Sequence, residues 1–205
     1  MPDYAYLKSD LINTTENDST EFATQIPFFI TKAELRITKD IDDVGLDEYT
    51  TVSVSSGNAG AVPLNDRVRI VRNVNYTVST GTTVTNLLQR TVEYANDYWP
   101  VSASTGTPRY YSRRTNSSIK IVPTPVSATT VEIQTASQPL ALASATGTSV
   151  TTSNYFSEYC YDALFYGCLI EATMYMKDWQ TLPVWQGEYQ NSIQTLRNQA
   201  RRTRQ

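Results

Sequence analysis

Histidine is missing altogether from the 205 residues. That excludes any mechanism needing an imidazole base, nucleophile or metal ligand, the Ser-His-Asp triad among them. Cysteine is scarce, with two residues, too few for a disulfide framework or a four-thiolate zinc site. Cys160 and Cys168 are eight positions apart, about 12 Å along one helix, so small core residues are the expected role. An excess of positive charge is lacking too. The net charge is −3, the wrong sign for a general nucleic-acid binder.

Other signals are missing or incomplete. No Gly-rich phosphate cradle with Lys and Ser/Thr occurs. The run from Asp40 to Gly45 starts like a calcium loop, but Val44 and Thr51 stand where oxygen ligands belong. Glu93 and Asp97 have the spacing of a catalytic carboxylate pair, which one exposed helix face explains as well. The longest uncharged apolar run, 163–170, is far short of the ~18 residues of a membrane span. Residues 1–10 are polar and do not read as a secretory leader. These absences predict a protein that is not an enzyme and holds no cofactor or metal.

What charge there is lies unevenly. Residues 1–50 hold 11 acids against 4 bases. After Glu188 there is no acid, while Arg197, Arg201, Arg202 and Arg204 follow. An acidic head and a basic tail suit docking between copies or onto an acidic partner; a solvated tail is the plainer reading.

The ends read as helix. Ser19 is suited to cap a helix in which Phe22, Ile26, Phe29, Ile30, Ala33, Ile37 and Ile41 recur every three to four residues. Pro27 predicts a kink or a late start, and Gly45 suits a left-handed stop. A shorter helix over about 4–13 precedes it. Asn154 is placed to cap a helix over 155–177 that is apolar nearly all round, and such a helix predicts burial against partner subunits, beyond what one chain offers. A turn containing Pro183 leads to a one-sided helix carrying Trp185, Tyr189, Ile193, Leu196 and Ala200.

The middle reads as strand. Most of the 29 Thr and 18 Ser fall between about 49 and 153, in short alternating runs separated by Gly and Pro. Residues 89–98 suit a short helix among them, and no charge occurs from Ile133 to Ser157. The expected fold class is α+β: a helical bundle from 1–48 and 154–205, with an inserted antiparallel β-rich domain, a sandwich or small barrel, over 49–153. Tyr94, Tyr98, Trp99, Tyr110 and Tyr111 form an aromatic cluster that suits either an interface anchor or the β-domain core. Arg67, Arg69, Arg113 and Arg114 suit phosphates or salt bridges between subunits equally.

An ordered set of motifs resembles the head-to-tail adaptor (connector) proteins of short-tailed bacteriophages. It begins with Phe22-Ala-Thr-Gln-Ile-Pro-Phe-Phe-Ile-Thr-Lys-Ala-Glu-Leu-Arg-Ile-Thr-Lys-Asp-Ile41. Tyr98-Trp99-Pro100 and Thr107-Pro108-Arg109-Tyr110-Tyr111 follow, then Ile119-Lys-Ile-Val-Pro-Thr-Pro125 and Gln138-Pro139. Asp162-Ala-Leu-Phe-Tyr-Gly-Cys-Leu-Ile-Glu-Ala172, Lys177-Asp178 and Trp185-Gln-Gly-Glu-Tyr189 complete it. The resemblance implies a virion structural protein, assembled in the host cytoplasm, that forms a dodecameric ring beneath the portal protein. The ring extends the channel through which genomic DNA passes without sequence-specific binding, and it anchors tail nozzle and fibre proteins. It also implies that Arg197, Arg201, Arg202 and Arg204 reach the portal. Two other readings remain open: a carbohydrate-binding or fibre-attachment β-module using the aromatic cluster, and a monomeric head-completion or DNA-binding factor using the basic tail.

Overall fold

The computed structural model describes residues 2–55, 57–77, 84–101, 103–143, 151 and 153–203. Contacts divide the chain into a helical unit, Met1–Leu46 with Gln138–Gln205, and a β-rich unit, Asp47–Ser137. The fold class is α+β.

In the helical unit, α1 (Tyr4–Thr15) starts where Asp3 accepts the Tyr6 N–H at 2.8 Å. Then α2 (Thr20–Asp40) starts at Ser19, whose hydroxyl accepts the Phe22 N–H at 3.3 Å. Its buried side chains Phe22, Ile26, Phe29, Ile30, Ala33 and Ile37 follow the three-to-four spacing. Pro27 neither ends nor delays this helix, so of the two expectations the late start is not found. One backbone bond is lost, but Pro27 itself is buried, and packing of a whole apolar face outweighs that loss.

The apolar segment after Asn154 is two helices rather than one: α4 (Tyr155–Tyr159) and α5 (Tyr161–Met176). Cys160 separates them with φ −128° and ψ 30°, outside the helical region. Asn154 caps α4 through a reciprocal capping box with Ser157. Pro183 belongs to the first turn of α6 (Leu182–Thr203) rather than to a preceding turn, a position where its missing N–H costs nothing.

The helix α5 packs against α1, α2, α4 and α6. Residues from all five helices, with Leu142 and Ala143, share one core. Close approach of α2 and α5 depends on Gly167: a Cβ there would lie 3.0 Å from the Ala33 Cβ. Gly45 has no left-handed φ. It lies in a 3-10 turn, Val44–Leu46, and a side chain there would overlap the Tyr155 ring.

The β-rich unit has two four-stranded sheets. In the first, β1 (Asp47–Val54), β8 (Thr129–Ser137), β3 (Val68–Thr77) and β4 (Val84–Asn86) lie in that order, all antiparallel. In the second, β2 (Val62–Pro63), β7 (Ser118–Val122), β6 (Tyr110–Thr115) and β5 (Leu88–Gln89) lie in order, with β5 and β6 parallel. Val54, Val74, Val131 and Ile133 of the first sheet share a core with Val62, Tyr111, Ile119 and Ile121 of the second. Alternation sends Val131 and Ile133 of β8, and Ile119 and Ile121 of β7, into it. Of the two expected forms, the structure is the sandwich. A short α3 (Val92–Tyr98), capped by Thr91, precedes β6.

Candidate functional site

The structure brings four of the five expected aromatics together on the surface of the β-rich unit. Tyr94 and Tyr98, one helical turn apart on α3, stack at 5.8 Å and 7°. Tyr110 meets both edge-on, at 5.5 and 5.2 Å, and Trp99 lies 6.3 Å from Tyr98. The Arg90 guanidinium sits 5.6 Å from the Tyr94 ring and 5.7 Å from the Tyr110 ring, within cation–π range. A hydrogen bond with Tyr110 is the main cause that raises the Tyr94 hydroxyl above its ordinary value. Tyr94 and Tyr98 remain about two-fifths exposed. Tyr111 goes elsewhere: it points to the other face of β6 and is buried in the core.

The arginines of α6 divide as well. The Arg197 Nε donates to the Asp40 carbonyl at 2.8 Å, and its guanidinium lies 3.8 Å from the Asp40 carboxylate. Arg197 therefore fastens the end of α6 to the end of α2. Arg201 and Arg202 are exposed, and Arg204 lies outside the described residues. In the β-rich unit, Arg113 donates to the carbonyls of Val68, Arg69 and Asn116, and Arg114 to that of Gly60. Arg67 pairs with Glu48 of its own chain at 3.5 Å. These three have structural work within the sandwich.

Exposed apolar side chains of the helical unit escaped the sequence reading. Phe28 and Leu35, seven residues apart on one face of α2, are 46% and 41% exposed, and Trp179 is 63% exposed. The helical period that marks Phe29 and Ile30 as core passes over their neighbours, so the only signal was two large apolar residues off the stripe. By contrast α5, apolar all round, is buried by its own chain from Ala163 to Thr173 except for Phe165 and Tyr166, which are partly buried. Its burial therefore needs no partner subunit.

Three tyrosine–aspartate bonds hold the helical unit: Tyr155 to Asp43 at 2.5 Å, Tyr161 to Asp10 at 2.7 Å, and Tyr189 to Asp40 at 2.7 Å. Burial first, and the bond to the aspartate second, push all three hydroxyls far above the ordinary tyrosine value. The protonated form is the one the fold holds. Its stabilisation is complete below about pH 10, the unfolded tyrosine value, and is lost as pH rises beyond it. Alkaline titration is expected to melt the helical unit above about pH 10. In Tyr161→Phe, about 1.5 kcal/mol less stable at neutral pH, that alkaline loss shrinks. An equal alkaline slope in the variant and the parent, measured by circular dichroism, contradicts the assignment.

Aromatic, aliphatic and arginine side chains are thus held out on ordered elements. The chain belongs to the SU10 adaptor protein family, whose model matches residues 3–205. It is a phage adaptor protein. No curated protein matches it. Among the described residues, no helix is long and apolar enough to cross a membrane.

Proposed function

We propose that this protein is a head-to-tail adaptor of the virion: copies of it form a ring beneath the portal, extend the DNA channel and anchor tail nozzle and fibre proteins. The family match across residues 3–205 carries the reading. A dodecamer assembled in the host cytoplasm is the form it takes, with head-to-tail contacts that close the ring. Genomic DNA passes through without sequence-specific binding. The helical and β-rich units act as separate domains.

Phe28 and Leu35 supply the subunit contact, because large apolar side chains on an ordered helix gain most from being covered. Tyr94, Tyr98, Trp99 and Tyr110 anchor a neighbour or the nozzle, while Tyr111 keeps the platform in place from the core. Arg201, Arg202 and Arg204 reach the portal, with Arg197 holding the helix that presents them. The purified protein mixed with its portal, viewed by electron microscopy, tests this. Rings on the portal are expected for the parent chain, folded but ringless protein for Phe28→Asp with Leu35→Asp, and at least tenfold weaker portal capture after deletion of residues 199–205. A chain that stays monomeric with the portal present overturns the ring, and full-strength capture by the truncated chain overturns the arginine assignment.

A further inference from the structure

Glu34 lies within α2 with 1% of its surface exposed. Two neutral donors reach its Oε1: the Leu142 N–H at 3.0 Å and the Asn154 side-chain amide at 2.7 Å. That same amide donates to the Leu140 carbonyl at 2.9 Å, while the Asn154 Oδ1 caps α4. One carboxyl oxygen thus ties α2 to the segment after β8 and to the start of α4.

Among the described residues, no cation is bonded to Glu34. From α5 it faces Cys168, wholly buried, whose thiol burial pushes well above its ordinary value and so keeps neutral. On α2 and α5, Lys32 and Arg36 are taken up by Glu171, at 3.3 and 2.5 Å. On α4, Glu158 is bonded to Ser153, and Leu140, Leu142 and Asn154 carry no titratable group. A buried carboxylate served only by neutral amides loses more in hydration than two hydrogen bonds return.

We propose that Glu34 is a proton-operated latch: protonated, it holds Leu142 and the Asn154 cap against α2, and ionised, it releases them to water. The protonated carboxyl keeps a carbonyl oxygen for both donors, so closing the latch needs no rearrangement. Burial is the main cause that raises Glu34 to about 7, with the bonds to Leu142 and Asn154 acting in the other direction. The sign follows from the raised value. Below about pH 4.3, the ordinary glutamate value, open and closed forms are both protonated and closure is complete. Between there and about 7 the open form ionises first, and the closing constant falls by up to about tenfold per pH unit. Above 7 it levels off.

Hydrogen exchange of the Leu142 amide in the full chain, corrected for intrinsic rate, reads the latch directly. Its protection should fall by up to about tenfold per pH unit between about pH 5 and 7 and flatten by about pH 8, while amides within β3 and β8 keep theirs. Glu34→Gln offers a carbonyl in the same place without a titration, and its Leu142 protection should be flat across the range. Flat protection in the parent chain, or the same decline in Glu34→Gln, overturns the proposal. Direct titration of the Glu34 carboxyl by NMR in the parent chain needs no variant, and an ordinary value near 4.3 overturns it equally.

Discussion

Replacing Phe156 by alanine is expected to destabilise the helical unit by about 3–5 kcal/mol. The ring is wholly buried and belongs to the core that α1, α2, α4, α5 and α6 share. Its helix, α4, has five residues, too few to persist alone, so its place rests on this ring and on the Asn154–Ser157 capping box. Removing the ring leaves a cavity between helices tied down from several sides, including by the Tyr155–Asp43 bond, and such a site collapses poorly. Denaturant unfolding followed by circular dichroism measures the loss. A cost below about 1 kcal/mol would show that α4 is not part of the core.

In the β-rich unit a large loss is expected from Arg72→Met. Arg72 on β3 bonds Asp47, at the start of β1, at 2.5 Å, and the Asp47 side chain is only 8% exposed. Because β8 lies between those two strands, the pair spans the middle of the sheet; Gln134 of β8 adds a bond to Asp47 at 3.1 Å. Removing the cation strands a nearly buried carboxylate, at a cost of about 3 kcal/mol. The double variant with Asp47→Asn leaves no charge behind and should recover much of that loss. A double variant no more stable than Arg72→Met, by denaturant titration, would mean that the arginine acts through packing alone.

Much of the fold was legible in residues close together in the chain. The spacing from Phe22 to Ile37 marks α2 and its buried face, Ser19 and Asn154 mark helix starts, and Thr-rich alternation marks the strands. Each depends on a local period or a side chain bonding its own neighbours, physics that acts within a few residues. The absence of histidine removed whole families of chemistry in the same way, without reference to shape. Pro27 shows where local reasoning fails, since a single lost hydrogen bond is decided against by the packing of a whole face.

The surfaces were decided by the tertiary structure. Nothing adjacent to Tyr110 and Tyr111 says which one α3 meets and which one the second sheet covers; the direction of β6 relative to both settles it. Arg197 reads as a free tail charge until α6 ends beside Asp40, 157 positions earlier in the chain. Glu34 reads as one of many acids in an acidic head, and only residues 108 and 120 positions away make it a buried carboxyl with two donors. A helical period tells which face of α2 is apolar. Which polar group that face must carry inward, and which apolar side chains stay uncovered, depends on distant segments competing for the same space.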